Sequence, residues 1–250
     1  MAGAAALAAK AAYKSGCGLV TILTPECNRV IIQSLVPEAV LKTFSEDEEE
    51  DVTEVVKGAL KGKTAVVCGP GIGLSEAAER MVEAVISFCK VPLILDADAL
   101  NILSEHQEWM ALTKGPVILT PHMKELSRLT GETIQTLKRN LEDVCTSFCQ
   151  ENSVICIAKD ACTCVFGPGN EIIVNMSGND GMAVGGSGDV LAGLTGGLCA
   201  QGMNVSDAAG LSVFIHGRAG DAVSHEYGRR SMLSGDLIGG IAAVLQDADS

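Results

Sequence analysis

Aromatic side chains are scarce in this chain: five Phe, two Tyr and one Trp amount to 3% of 250 residues. A stacking platform for single-stranded nucleic acid needs several rings on one surface, so the scarcity argues against that class of function. Positive charge is also short. Lys and Arg number 18 against 31 Asp and Glu, a net charge of −13. A field of that sign repels both a nucleic-acid backbone and an anionic membrane. No apolar run is long enough to form a transmembrane helix, and no charged-then-apolar leader precedes residue 20. A cytoplasmic protein is the expectation.

The ten cysteines include no C-x-x-C pair, and most lie within apolar runs such as Val154-Ile155-Cys156-Ile157. They read as reduced, buried thiols rather than a disulfide scaffold. Cys145 and Cys149 are spaced to share a helix face, but two thiols alone make a weak metal site. Two phosphate-binding fingerprints are missing as well. Leu74 stands where G-x-G-x-x-G needs its third glycine, and no stretch fits G-x-x-x-x-G-K-[ST].

Small and aliphatic residues are what the chain has in quantity. Hydrophobic residues make up 47%, charged residues 20%, and 28 positions are glycine, which suits a sizeable core with close helix-on-sheet packing. No internal repeat or linker divides the sequence, and residues 1–250 read as one domain. A helix is predicted over residues 2–14 and a strand over 18–23. Apolar strands at 39–44, 64–68, 92–95, 116–119 and 154–157 then alternate with helices at 26–34, 48–60, 75–89, 122–129 and 133–150. That alternation predicts an α/β fold with a mostly parallel central sheet and helices on both faces. Residues 162–166 and 171–175 read as a hairpin, and helices follow at 187–201, 205–226 and 234–247. The acidic run from Ser45 to Asp51 could bind a cation, or form a solvated helix start capped by Ser45 or Asp47.

Gly185-Gly186-Ser187-Gly188-Asp189 opens the first of those late helices. Its glycines let successive N–H groups face one concavity, and a helix start there favours an anion such as phosphate. Asp189 would repel that anion unless it has a task of its own. Removing a proton from a hydroxyl as a phosphoryl group arrives is such a task.

Four predicted strands deliver further polar or glycine-rich segments to one sheet edge, where ligands bind in parallel sheets. Gly69-Pro70-Gly71-Ile72-Gly73 is either a tight turn or a ligand loop. Asp96, Asp98 and Asn101 could hold Mg²⁺ through water or position a polar substrate. Alternatively, Asp98 caps a helix and Asp96 satisfies backbone N–H groups. Pro121 fits the first turn of the next helix, on which His122 and Glu125 share a face. Lys159 could neutralise phosphate, with Thr163 as an added donor, or lie in a solvated turn with Asp160.

On these segments the chain resembles the nucleotide-dependent NAD(P)H-hydrate dehydratases of the ribokinase-like superfamily. The matching residues include Gly3-Ala4-Ala5, Gly69-Pro70-Gly71, Asp96-Ala97-Asp98-Ala99-Leu100-Asn101 and Thr120-Pro121-His122. They continue with Asn179-Asp180-Gly181-Met182-Ala183, Gly185 to Leu191, and His216-Gly217 through Asp221. The resemblance implies dehydration of the hydrates of NADH and NADPH at the expense of ADP or ATP with Mg²⁺, and a homotetramer. It implies that Ala4, Gly71, His122 and Asp189 contact the hydrated cofactor. It also implies that Lys159, Asp160, Ala161, Cys162, Thr163 and Gly188 surround the nucleotide. Gly73, Gly185, Gly186 and Ser187 would complete the rim.

Two departures stand out. Asp160 replaces a glycine that is common in relatives, adding negative charge beside the expected nucleotide. Relatives also carry a strand ahead of the helix that begins near Gly3. Its absence here leads to the expectation of a truncated chain, with that strand and an epimerase domain originally upstream. A vitamin-precursor kinase and an inactive nucleotide-binding protein are the alternative readings.

Overall fold

The computed structural model describes residues 1–45 and 51–248. The first helix, α1 (Ala2–Lys14), is followed by β1 (Thr21–Pro25), α2 (Arg29–Leu35) and β2 (Val40–Phe44). Next come α3 (Val52–Leu60), β3 (Val66–Cys68), α4 (Glu76–Phe88), β4 (Leu93–Leu95), α5 (Asp98–Glu105) and β5 (Val117–Leu119). Helices α6 (Met123–Thr130) and α7 (Ile134–Asn152) precede β6 (Ile155–Ala158), β7 (Cys164–Phe166) and β8 (Ile172–Val174). The chain then runs through α8 (Ser187–Ala200), α9 (Val205–Tyr227) and α10 (Ser234–Ala248).

Six strands form one sheet in the order β3-β4-β5-β6-β7-β8, with β1 and β2 pairing in parallel as a separate sheet. Strands β3 to β6 are mutually parallel, and β7 and β8 add an antiparallel hairpin at the far edge. Side chains on a strand alternate between faces. Leu93, Leu95, Val117 and Leu119 therefore enter a core with α4 to α7, while Ile94, Ile118, Ile155 and Ile157 enter another with α8 to α10. Burial on both faces explains why these strands read as unbroken apolar runs.

The sequence-based boundaries need several corrections. The first strand begins at Thr21 instead of residue 18, because residues 15–18 form the turn that ends α1. Helix α3 is capped by Asp51, whose carboxylate accepts from the Thr53 N–H, and not by Ser45; Asp47 lies outside the described residues. All ten cysteines are free, but Cys27 and Cys162 are exposed instead of buried.

Helix α8 is buried over nearly its whole circumference, between the sheet, α1 and α9. Its glycines permit this. A Cβ at Gly193 would run into the backbone carbonyl of Ala8, so α1 and α8 touch backbone to backbone across an alanine-rich face. Intrinsic helix propensity favours Gly193→Ala by about 1 kcal/mol. Overpacking against a backbone that cannot yield costs about 1–3 kcal/mol and should win. The variant should unfold at lower urea than the parent, and an unchanged midpoint would remove this contact from the account.

Candidate active site

The carboxyl ends of β3 to β6 deliver four segments to one rim. Leaving β4, Asp96 is almost fully buried and accepts from the Lys159 ammonium at 2.7 Å and the Thr120 hydroxyl at 2.6 Å. Its side-chain partners thus come from the ends of β5 and β6, not from the backbone N–H groups that one of the two readings gave it. Asp98 is likewise not the cap of α5. It accepts from the Gly73 N–H at 2.9 Å and so ties the 69–73 turn to that helix, while Ala97 occupies the cap position at φ 51°. Asn101 lies within α5, the same short helix. Among the described residues, no group of three or more His, Cys, Asp or Glu side chains is placed to hold a metal.

His122 is the N-cap of α6, and Pro121 precedes the helix instead of lying in its first turn. The His122 Nδ1 accepts from the N–H groups of Lys124 and Glu125, while Glu125 returns a bond from the His122 N–H at 2.8 Å. This is a capping box with histidine in the usual serine or threonine place. It leaves the ring half exposed with its Nε2 3.4 Å from the Glu125 carboxylate. Burial raises the Glu125 pKa, against the opposing pull of Lys159. His122 and Lys159 are neighbours across a parallel bridge between strand ends.

Lys159 is the first residue of the expected nucleotide segment. Beyond it, Asp160, Ala161 and Cys162 are exposed and Thr163 is partly buried at the start of the β7–β8 hairpin. A Cβ at Gly188 would lie 3.1 Å from the Lys159 ammonium and 3.9 Å from an Asp96 oxygen. The ammonium therefore sits directly over the first turn of α8. Gly186 is the cap residue of that helix, with φ 93°, and Gly185 precedes it in the loop. Ser187, next in line, is buried. The first N–H groups of a helix lack intrahelical acceptors, so this turn, with the Lys159 ammonium beside Gly188, is suited to an anion.

Asp189 lies in the same turn, and among the described residues nothing donates a hydrogen bond to its carboxylate. Burial first, and then the neighbouring Asp96 charge, push its pKa up to about 6, with Lys159 pulling the other way. A carboxylate so placed is a proton acceptor near neutral pH. Across the rim, Ala4 of α1 lies beside Gly71, where a Cβ would meet the Ala4 methyl at 3.1 Å. The structure thus draws together Ala4, Gly71, His122, Lys159, Gly188 and Asp189 from five different segments. Sequence reasoning left the role of Thr120 unread, because its contact lies 24 residues away.

A family model for NAD(P)H-hydrate dehydratase matches residues 1–242. The chain belongs to the NAD(P)H-hydrate dehydratase family. It is 33% identical to a bifunctional NAD(P)H-hydrate repair enzyme of Moorella thermoacetica, covering 99% of this chain and 47% of that protein. Against an ADP-dependent (S)-NAD(P)H-hydrate dehydratase of Neisseria meningitidis the identity is 36%, over 95% of this chain and 78% of that one. The chain thus spans about half the length of the bifunctional relatives it matches. Among solved structures, a Bacillus subtilis ADP/ATP-dependent NAD(P)H-hydrate dehydratase co-crystallised with ATP/Mg²⁺ superposes with a TM-score of 0.82. It is 26% identical, with 99% of this chain and 87% of that one covered. An Enterococcus faecalis ribokinase-like superfamily protein superposes at 0.84, with 25% identity, over 98% of this chain and 82% of its own. The architecture is accordingly ribokinase-like.

The Asp189 environment has a consequence for stability. Its pKa is raised from 3.8 to about 6 on folding, so ionised Asp189 opposes folding. That penalty is absent below about pH 4, grows toward about pH 6 and is complete above it. Asp189→Asn mimics the protonated form. Its melting temperature should exceed the parent's above about pH 6 and converge with it below about pH 4; a constant offset would contradict the burial argument.

Proposed function

We propose that this chain restores NADH or NADPH from their hydrates, using ADP in preference to ATP. The observation that carries the reading is Asp189, a carboxylate with no hydrogen-bond donor among the described residues, in the first turn of α8 beside the Lys159 ammonium. Asp189 accepts the proton of the hydrate's hydroxyl as that oxygen attacks the terminal phosphoryl group. The α8 N–H groups and Lys159 stabilise charge on the phosphoryl oxygens, and the shortened nucleotide departs. Phosphate is a far better leaving group than hydroxide. The carbon–oxygen bond breaks with its electron pair leaving on phosphate, the adjacent ring carbon gives up a proton to water, and the double bond of the reduced nicotinamide re-forms.

In this reading Ala4, Gly71 and His122 contact the hydrated cofactor, while residues 159–163 and Gly188 surround the nucleotide. Mg²⁺ accompanies the nucleotide phosphates and, when bound, supplies further charge neutralisation. Asp96 and Asp98 are already engaged with protein groups, so neither is assigned to it. The names of the Neisseria and Bacillus relatives support the choice of substrate; that of the Neisseria relative supports ADP, whereas the Bacillus enzyme's names both ADP and ATP. Residues 1–250 act here as one domain in the cytoplasm. Exposed Ile172, Ile173 and Val174 on the edge strand β8 support contact with a second copy of the chain; the homotetramer itself is what the family resemblance implies, and sedimentation can test it.

Incubation with hydrated NADH and ADP should regenerate the absorbance of reduced nicotinamide. A stable phosphorylated product without reduced cofactor would indicate a small-molecule kinase instead. Asp189→Asn should lower kcat by about 10²–10⁴-fold while nucleotide affinity, read by calorimetry, changes little. Turnover equal to the parent's would remove Asp189 from the mechanism.

A further inference from the structure

The segment from Asn175 to Gly186 leads into the first turn of α8, yet its only regular structure is one 3-10 turn at Asp180–Met182. Its shape must therefore come from what it lies on: one face of α9 and, around Gly181 and Gly186, Arg229, Met232, Ser234 and Leu7. Positions 216, 217, 220 and 221 fall on a single helical stripe. The buried His216 has its Nε2 3.4 Å from the Ser187 hydroxyl. A Cβ at Gly217 would strike Ser177, and one at Gly220 would strike the Met182 thioether, so the segment rests directly on the helix backbone.

Asp221 supplies the polar part of this contact. Its Oδ2 accepts from the Gly178 N–H at 3.0 Å, and its Oδ1 accepts from the Asn179 amide at 3.1 Å. Asn179 donates also to the Gly220 carbonyl at 3.0 Å and accepts from the Gly181 N–H at 3.1 Å, which starts the 3-10 turn. The bonds thus run from Asp221 through Asn179 into the chain that ends at Ser187. None of these groups belongs to the rim that carries Lys159, Gly188 and Asp189.

We propose that Asp221 is a positioning residue: through Asn179 and the 178–187 segment it sets where the first turn of α8, and with it the Asp189 carboxylate, stands relative to Asp96 and Lys159. The proposal rests on the reading of Asp189 as the base. Two carboxylate oxygens hold two donors, which an amide cannot do, because its nitrogen would face another N–H. With the clamp loosened, Asp189 gains water and moves away from its like-charged neighbour. The groups facing Asp189 are Asp96 at the end of β4, Asp98 of α5, Lys159 after β6 and the amino group of Met1, and burial outweighs them all.

The test uses Asp221→Asn and, as a second lesion of the same chain of bonds, Asn179→Ala. The titration of the Asp189 carboxyl carbon is followed by NMR in the ligand-free protein, beside the pH profile of kcat/KM. In the parent both should turn over near pH 6. In Asp221→Asn both should move down by about one pH unit, the direction that greater solvation dictates, with kcat reduced about tenfold or more. Asn179→Ala should shift them the same way. An unchanged titration in the variants would overturn the proposal, as would failure of both to fold, which would leave the clamp a stability element only. The carboxyl titration needs no turnover, so a parent without hydrate dehydratase activity would defeat the functional reading and leave the clamp still measured.

Discussion

Asp96 is where the carboxyl ends of three strands are joined. It terminates β4, and its buried carboxylate holds the hydroxyl of Thr120 after β5 and the ammonium of Lys159 after β6. A charge buried to this degree must be paired, and removing one partner of such a pair costs about 3–5 kcal/mol. That penalty keeps Lys159 on the rim, over the first turn of α8, when no anion is present. The same carboxylate contributes to holding Asp189 above the ordinary carboxylate range, second only to burial. One buried group therefore places the cation and helps to tune the base.

Helix α8 supplies the other half of the arrangement. It can carry a glycine-rich first turn to the rim because small residues let it lie against the backbone of α1 and beneath the sheet. The residues that make its core packing tight thus also limit how far its N-terminus can drift. Helix α9 completes the restraint from behind, through the stripe that ends at Asp221. The result is a rigid anion-facing turn with a carboxylate in it, held by contacts that lie outside the rim.

Much of this was legible in the sequence. The alternation of apolar strands with amphipathic helices predicts the parallel sheet, and the strand-end segments 69–73, 96–101, 120–125 and 159–163 reach the predicted edge. The late helices begin and end within a residue or two of their expected limits. The errors have physical sources. Pro121 suits a first helical turn, but His122 followed by Glu125 three residues on forms a capping box that moves the boundary by one position. Asp98 has the chemistry of a cap, yet the Gly73 N–H, 25 residues away, claims its carboxylate.

By itself the sequence determined which residues could carry chemistry and on which edge of the sheet they would stand, since hydrophobic periodicity and turn chemistry act over a few neighbouring residues. Only the tertiary structure decided how those residues are paired. Lys159 meets Asp96 across 63 positions, and Asp221 reaches Gly178 across 43. Contacts at such separations depend on how the helices pack against the sheet, and no local pattern encodes the partner.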